Sequence, residues 1–111
     1  MIDREYLDHD PLLAEIVRRV TNDLHPDQVY LFGSRARGDE NADSDYDLLL
    51  VLPRVATPPY RLAQRAHSLL WGLRTAADVF VCFSDDFQAR LVVAASLPAT
   101  VVREGRLLYA A

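Results

Sequence analysis

The fold of this chain is organised around residues 29–52, VYLFGSRARGDENADSDYDLLLVL. Residues 29–32 predict an apolar strand that runs into a Gly-Ser turn. A second strand begins at Asp45, Tyr46 and Asp47 and continues through five apolar residues, 48–52. Because strand side chains alternate between faces, Asp45 and Asp47 point the same way, roughly 6–7 Å apart along the strand. The apolar run behind them predicts a strand that is buried on both faces.

The paired carboxylates of Asp45 and Asp47 predict a metal site. Two like charges at the mouth of a hydrophobic strand repel each other and are costly to hold together without a cation. Carboxylate oxygens in that arrangement suit Mg²⁺, and Mn²⁺ accepts the same ligands.

The Gly-Ser turn predicts a phosphate site beside that metal site. Gly33 lets the backbone approach a ligand closely, and successive N–H groups of such a turn form a concave nest for anions. Ser34 adds a hydroxyl donor, while Arg35 and Arg37 add positive charge. A phosphate site next to a paired-carboxylate metal site is typical of enzymes that transfer phosphoryl or nucleotidyl groups.

The spacing of these residues resembles a known signature. Gly33-Ser34, ten intervening residues (35–44) and then Asp45-Tyr46-Asp47 are similar to the motif of the DNA-polymerase-β-like nucleotidyltransferase superfamily. The fuller string FGSRARG followed by SDYDL resembles its minimal nucleotidyltransferase (MNT) branch. The resemblance implies an α+β fold, a small mixed β-sheet with helices packed on it, and nucleoside triphosphate, usually ATP, as co-substrate.

Asp78 is the candidate for a third carboxylate. From the residues alone, an aspartate that opens an apolar strand equally marks a loop boundary. In the superfamily a third acid on a following strand completes the triad, and Asp78 is the acid suitably placed before a core strand. The resemblance implies that Asp78 ligates the metal and helps to deprotonate the attacking hydroxyl.

Composition limits the class of protein. With 111 residues, half of them apolar, the chain predicts one domain spanning residues 1–111. A net charge of −4 argues against stable, direct DNA binding. A lone Cys82, no signal-peptide pattern and no apolar run near 20 residues predict a cytoplasmic protein without a membrane span.

Hydrophobic periodicity places the remaining elements. Residues 1–9 are mixed in character and predict only partial order. Further elements are predicted as a helix from Pro11 to Leu24 capped by Asp10, a strand at residues 28–32, a helix beginning near Pro59, a strand at residues 78–83, a helix capped by Ser84, a short helical turn ending at Gly105 and an edge strand at residues 106–109. Phe87, Leu91 and Ala94 or Ala95 are expected to face inward. The side chains of Tyr60 and Trp71 are expected to pack in the core, and the alternative is that they form a surface for a partner.

The site restricts the topology. Gly33 ends the first strand and Asp45 begins the second, so the two residues share a site only if these strands are antiparallel. Asp78 reaches the same rim only if the third strand runs parallel to the second, and the intervening helix is long enough for that crossover. The residues therefore predict a mixed sheet with its chemistry at one rim.

The resemblance implies a function as well. Members of the MNT branch pair with a HEPN-domain protein and act as antitoxins, in some cases by attaching AMP to a tyrosine of that ribonuclease toxin. Two alternatives remain open: an antitoxin that neutralises its partner by binding alone, and a nucleotidyltransferase that modifies a small molecule such as an aminoglycoside.

Overall fold

The computed structural model describes residues 2–38 and 45–111 of the chain. Within these residues the elements, in chain order, are α1 (Arg4–His9), α2 (Pro11–Leu24), β1 (Gln28–Phe32), α3 (Ser34–Arg37), β2 (Tyr46–Leu52), α4 (Pro59–Leu69), β3 (Ala77–Phe83), α5 (Ser84–Arg90), α6 (Leu97–Glu104) and β4 (Arg106–Ala110). The charge and glycine content of residues 33–44 predict an exposed loop with room for a short helical turn after Ser34, and α3 is that turn. The rest of this segment, residues 39–44, lies outside the described residues.

The four strands form one mixed sheet in the order β3-β2-β1-β4. β1 pairs antiparallel with β2, and Phe32 lies opposite Asp47. β2 pairs parallel with β3, and Asp47 lies opposite Asp78. β4 pairs antiparallel with β1 at the edge of the sheet. The predicted mixed sheet, its strand directions and the edge strand are therefore confirmed.

The sheet is covered by helices on both faces, so β2 has a core on each side. On one face, Leu48 and Leu50 pack with Leu13 of α2 and Ala66 of α4. On the other face, Leu49 and Val51 pack in a second cluster with residues of α5 and α6, Phe87 and Val101. Residues 48–52 are all buried, which confirms the predicted double burial. The α+β class is confirmed too.

The ends of α2 follow the predicted chemistry. The Asp10 carboxylate accepts a hydrogen bond from the Leu13 N–H at 3.0 Å and caps the helix, with Pro11 in its first turn. At the other end His25 takes a left-handed conformation, and its N–H donates to the Thr21 carbonyl at 3.2 Å. The helix therefore stops before Pro26, since proline disfavours helical geometry in the residue before it.

The expectation of only partial order for residues 1–9 is wrong for the segment Arg4–His9, which forms a helix. Two tertiary hydrogen bonds hold this region against the rest of the fold. The Asp3 N–H donates to the Leu107 carbonyl at 2.7 Å, and the Tyr6 hydroxyl donates to the Ala36 carbonyl at 3.2 Å. Neither partner is local, so local composition gave no sign of them.

Ser84 does not cap the third predicted helix; it is the first residue of α5. Its hydroxyl instead donates to Asp27 Oδ2 at 2.5 Å and to the Leu52 carbonyl at 3.2 Å, which joins α5 to the ends of β1 and β2. Asp85 and Asp86 lie in the first turn of α5, where negative charge is favourable.

The inward-facing positions after β3 are confirmed only in part. Phe87 is buried and Leu91 is half-buried, but Ala94 and Ala95 are exposed because α5 ends at Arg90 and the chain continues in turns. The expected core packing of Tyr60 and Trp71 is wrong, since their side chains are 61% and 88% exposed. In the described part of the chain, no helix combines the length and apolar character needed to cross a bilayer.

Candidate active site

The Gly-Ser turn lies where β1 ends and α3 begins. Gly33 has φ +76° and ψ −157°, a backbone conformation that side chains other than glycine rarely adopt. Its carbonyl accepts hydrogen bonds from the Ala36 and Arg37 N–H groups at 3.2 and 3.1 Å. A Cβ atom at Gly33 would overlap Asp47 Oδ2 and lie 3.2 Å from Asp47 Cγ. The turn is therefore pressed against the carboxylate, and only glycine fits there.

The strand register brings the predicted acids to one rim of the sheet. Asp47 is flanked by Phe32 of β1 on one side and by Asp78 of β3 on the other. Asp47 is half-buried, whereas Asp78 is exposed. Asp45 lies immediately before β2, outside the paired strand, and is exposed. Gly33, Asp47 and Asp78 thus occupy three neighbouring strand ends, as the sequence predicted.

The electrostatics of Asp47 show that these groups interact. Burial raises the pKa of the Asp47 carboxyl, and the negative charges of Asp78 and Asp45 raise it further. The positive charge of Arg37 acts in the opposite direction on the same pKa. Three carboxylates and one guanidinium therefore share a single electrostatic environment at this rim.

The donor set suits a hard divalent cation. Carboxylate oxygens are the ligands that Mg²⁺ and Mn²⁺ prefer, and a cation at the rim would relieve the repulsion that raises the pKa of Asp47. Among residues 2–38 and 45–111, no three His, Cys, Asp or Glu side chains lie close enough together to form a ready-made metal site. The residue types fit a divalent cation, with Asp47 and Asp78 at paired positions of adjacent strands.

The two arginines of α3 have different surroundings. Arg37 is exposed and acts on Asp47, which places it on the carboxylate side of the rim. The guanidinium of Arg35 lies 4.0 Å from the centroid of the Tyr46 ring. Tyr46 packs in the cluster beneath α2, on the opposite face of the sheet from Asp47. The geometry therefore favours Arg37 over Arg35 as a phosphate contact.

A hydrogen bond between Tyr46 and Asp10, which no local sequence pattern predicts, lies on the opposite face of the sheet from Asp47. The Tyr46 hydroxyl donates to Asp10 Oδ2 at 2.7 Å, while Asp10 Oδ1 caps α2. One carboxylate thus joins the start of α2 to the start of β2. Alternation placed the Tyr46 side chain opposite Asp45 and Asp47, but its partner is 36 residues away and had no local signal.

The family model described as "Nucleotidyltransferase domain" matches residues 13–103. No curated protein matches the chain. A solved structure of a proposed nucleotidyltransferase from Sulfolobus solfataricus is 26% identical, with a TM-score of 0.63 over 90% of this chain and 78% of that one.

Two further solved structures have the same fold. A toxin–antitoxin with AMP-PNP is 21% identical, with a TM-score of 0.54 over 88% of this chain and 73% of that one. A mutant of the toxin–antitoxin MntA-HpeT is 17% identical, with a TM-score of 0.57 over the same shares, 88% and 73%. At these identities the likeness extends to the fold alone.

Proposed function

We propose that this chain, which belongs to the nucleotidyltransferase domain family, transfers AMP from ATP to a hydroxyl group with the help of Mg²⁺ or Mn²⁺. We further propose that it does so as a cytoplasmic antitoxin, and that the acceptor is a tyrosine of a HEPN-domain toxin.

One observation carries the transfer chemistry. The close approach of Gly33 to Asp47, and the pairing of Asp47 with Asp78, put a glycine turn and two carboxylates on adjacent strand ends. Phosphate groups and the atoms that attack them need these two environments within a few ångströms of each other.

The residues of the candidate site have separate roles in the proposed transfer. The hydroxyl of Ser34, the turn at Gly33 and the charge of Arg37 hold the triphosphate. The acceptor oxygen attacks the α-phosphorus, and its bond to phosphorus forms as the bond from the α-phosphorus to the bridging oxygen breaks. Pyrophosphate leaves, and the hydroxyl proton passes to the carboxylate of Asp78.

A divalent cation would draw Asp45, Asp47 and Asp78 together as its ligands and would supply neutralising charge to the phosphate oxygens. The chain's own contribution is to fix the acids at the rim. β2 does so because it is buried on both faces and hydrogen-bonded to a strand on each side. Positioning and preorganised charge are the main sources of rate in such transfers.

The partner is supported by likeness. Two of the structures that share this fold are toxin–antitoxin complexes, and one of them was solved with AMP-PNP, an ATP analogue. The FGSRARG and SDYDL strings resemble the branch whose members pair with HEPN-domain proteins. A toxin acceptor therefore agrees with both the fold and the motif.

The test compares two labels. The chain is co-purified with the protein encoded beside it and incubated with Mg²⁺ and ATP labelled at the α- or the γ-phosphate. We expect the partner to gain label only from the α-position. We expect Asp45→Asn with Asp47→Asn to abolish that label while the complex still forms.

A matched control separates the site from a general change in charge. Asp23→Asn with Asp85→Asn also removes two negative charges, at residues outside the site that form ion pairs with Arg65 and Arg54 at the surface. This control should label the partner as the unmodified chain does. Label from the γ-position would mean a kinase reaction and would overturn the proposal. Full neutralisation of the toxin by the Asp45/Asp47 variant would indicate an antitoxin that acts by binding alone.

A further inference from the structure

Phe80 lies on the same face of the sheet as the catalytic carboxylates. β2 and β3 are in parallel register, so Asp47 is opposite Asp78, and Leu49 is opposite Phe80. Since side chains alternate along each strand, all four side chains belong to one face. Leu49 packs toward α5 and α6 on that face, away from α2 and α4.

An aromatic pair adjoins the carboxylates there. The rings of Phe32 and Phe80 lie 5.7 Å apart between centroids and are tilted by 53°. Phe32 is paired with Asp47 across the strands, whereas the Phe80 side chain is 45% exposed. Single exposed apolar residues are common, but this one is an aromatic ring beside a row of acids.

A cavity of about 550 Å³ extends from Phe80. Its lining is mainly apolar and includes Leu49, Phe80, Leu97, Pro98, Tyr60 and Ala63. Its volume is within the range of pockets that hold small organic groups. Gly33, Asp47 and Asp78 do not line this cavity, which continues along β3 from Phe80 to Phe83 and on to α5. Phe80 is therefore the lining residue on this face of β3 that lies nearest to Asp78.

We propose that Phe80 determines acceptor specificity by stacking on an aromatic ring of the acceptor while Asp78 faces the acceptor hydroxyl. This inference rests on the proposed function, because it assumes that a hydroxyl is the acceptor. It concerns a residue that lies outside the glycine turn and the carboxylates.

The spacing along β3 favours the acceptor over the nucleobase. Phe80 follows Asp78 by two residues, a rise of roughly 6–7 Å, which is commensurate with the reach of a phenol from its oxygen across its ring. The Phe80 ring also contacts Phe32, which precedes the glycine turn, so it is the position relative to Asp78 that distinguishes the two sides of the site. Because Asp78 is the carboxylate that takes the acceptor's proton in the proposed reaction, Phe80 borders the acceptor side of the site. Stacking on the Phe80 ring favours acceptors whose hydroxyl is attached to a planar aromatic group over acceptors such as serine or a sugar.

The test measures binding directly. N-acetyl-L-tyrosinamide and N-acetyl-L-serinamide are titrated into the full chain, and dissociation constants are read from NMR shifts. We expect the tyrosine derivative to bind, and Phe80→Leu to weaken it about three- to ten-fold, as the loss of one aromatic pair implies. Phe80→Tyr should restore binding, and the serine derivative should respond equally to all variants.

Val102→Ala is the matched control, since Val102 is also half-exposed and apolar but lies on α6 outside this cavity. Urea unfolding of each variant verifies that the fold is retained. Equal binding of the tyrosine derivative to the unmodified chain and Phe80→Leu overturns the inference, and so does no binding to the unmodified chain. A rise in the KM for ATP with Phe80→Leu would assign the ring to the nucleobase and overturn it also.

The label assay distinguishes failure of the proposed function from failure of the role proposed for Phe80. If the unmodified chain transfers no α-label to any hydroxyl, the proposed function fails whatever Phe80 binds. If it transfers label to its partner, and Phe80→Leu does not change the KM for that partner, only the role of Phe80 fails.

Discussion

Replacing Gly33 by alanine tests the contact on which the site depends. The new Cβ would overlap Asp47 Oδ2 and lie 3.2 Å from Asp47 Cγ. The backbone at Gly33, with φ +76° and ψ −157°, also disfavours any side chain. Gly33→Ala therefore combines backbone strain with a forced displacement of the Asp47 carboxylate.

The size of the effect follows from these two contributions. A non-glycine residue in such a conformation costs about 1–3 kcal/mol, and crowding a packed position costs about 1–3 kcal/mol more. The free energy of unfolding should fall by roughly 2–6 kcal/mol, a large part of the 5–15 kcal/mol typical of a domain. Displacing a reacting group by about 1 Å costs about 100-fold in rate.

Gly38→Ala provides the matched control. Gly38 also has a positive φ, +81°, but a Cβ atom there meets nothing within 4 Å. This variant should lose only the conformational cost, about 1–2 kcal/mol. Urea unfolding and transfer of α-label are measured for both variants under the same conditions. The difference in free energy of unfolding contains the contact with Asp47 and the higher backbone cost at Gly33, whose ψ of −157° lies in a region that is essentially restricted to glycine. The loss of label transfer is therefore the measurement that reports the contact.

One pattern of results would contradict a role for the contact between Gly33 and Asp47. If Gly33→Ala and Gly38→Ala lose the same free energy of unfolding and transfer label at similar rates, then the close approach of Gly33 to Asp47 has no role. A large loss of transfer in Gly33→Ala alone, in a protein that still unfolds cooperatively, supports it.

Three other substitutions have defined expectations. Because burial and the charges of Asp78 and Asp45 raise the pKa of Asp47 when folded, ionised Asp47 opposes folding. In metal-free buffer, Asp47→Asn should therefore be more stable than the unmodified chain above that folded pKa. The stability advantage of Asp47→Asn should shrink as the pH falls through the folded pKa of Asp47, which urea unfolding across pH checks. Mg²⁺ should raise the Tm of the unmodified chain more than that of Asp47→Asn, which thermal melts check. Phe87→Ala, at a side chain 1% exposed, should lower the free energy of unfolding by about 3–5 kcal/mol in urea titrations. Arg54→Ala removes exposed ion pairs with Asp85 and Asp86 and should change it by less than about 1 kcal/mol in the same titrations.

Local patterns were sufficient for most of the fold. The boundaries of α2 and β1 are those that the Asp10 cap, Pro26 and the apolar run predict, because caps and periodicity act over a few residues. The topology followed from requiring Gly33 and the acids to share one rim. Errors came where distant partners decide the outcome, as at Ser84, whose hydroxyl bonds to Asp27 and so leaves no cap.

The sequence by itself determined the make-up of the candidate site: the residue types, their spacing and the common direction of Asp45 and Asp47 on their strand. It did so because alternation and the two-residue repeat of a strand are properties of the local chain. Only the tertiary structure decided that Gly33 presses on Asp47, that Asp10 bonds to Tyr46, and that the Phe80 ring stays exposed beside the acids. These contacts join residues far apart in sequence, and they depend on how strands and helices pack in three dimensions.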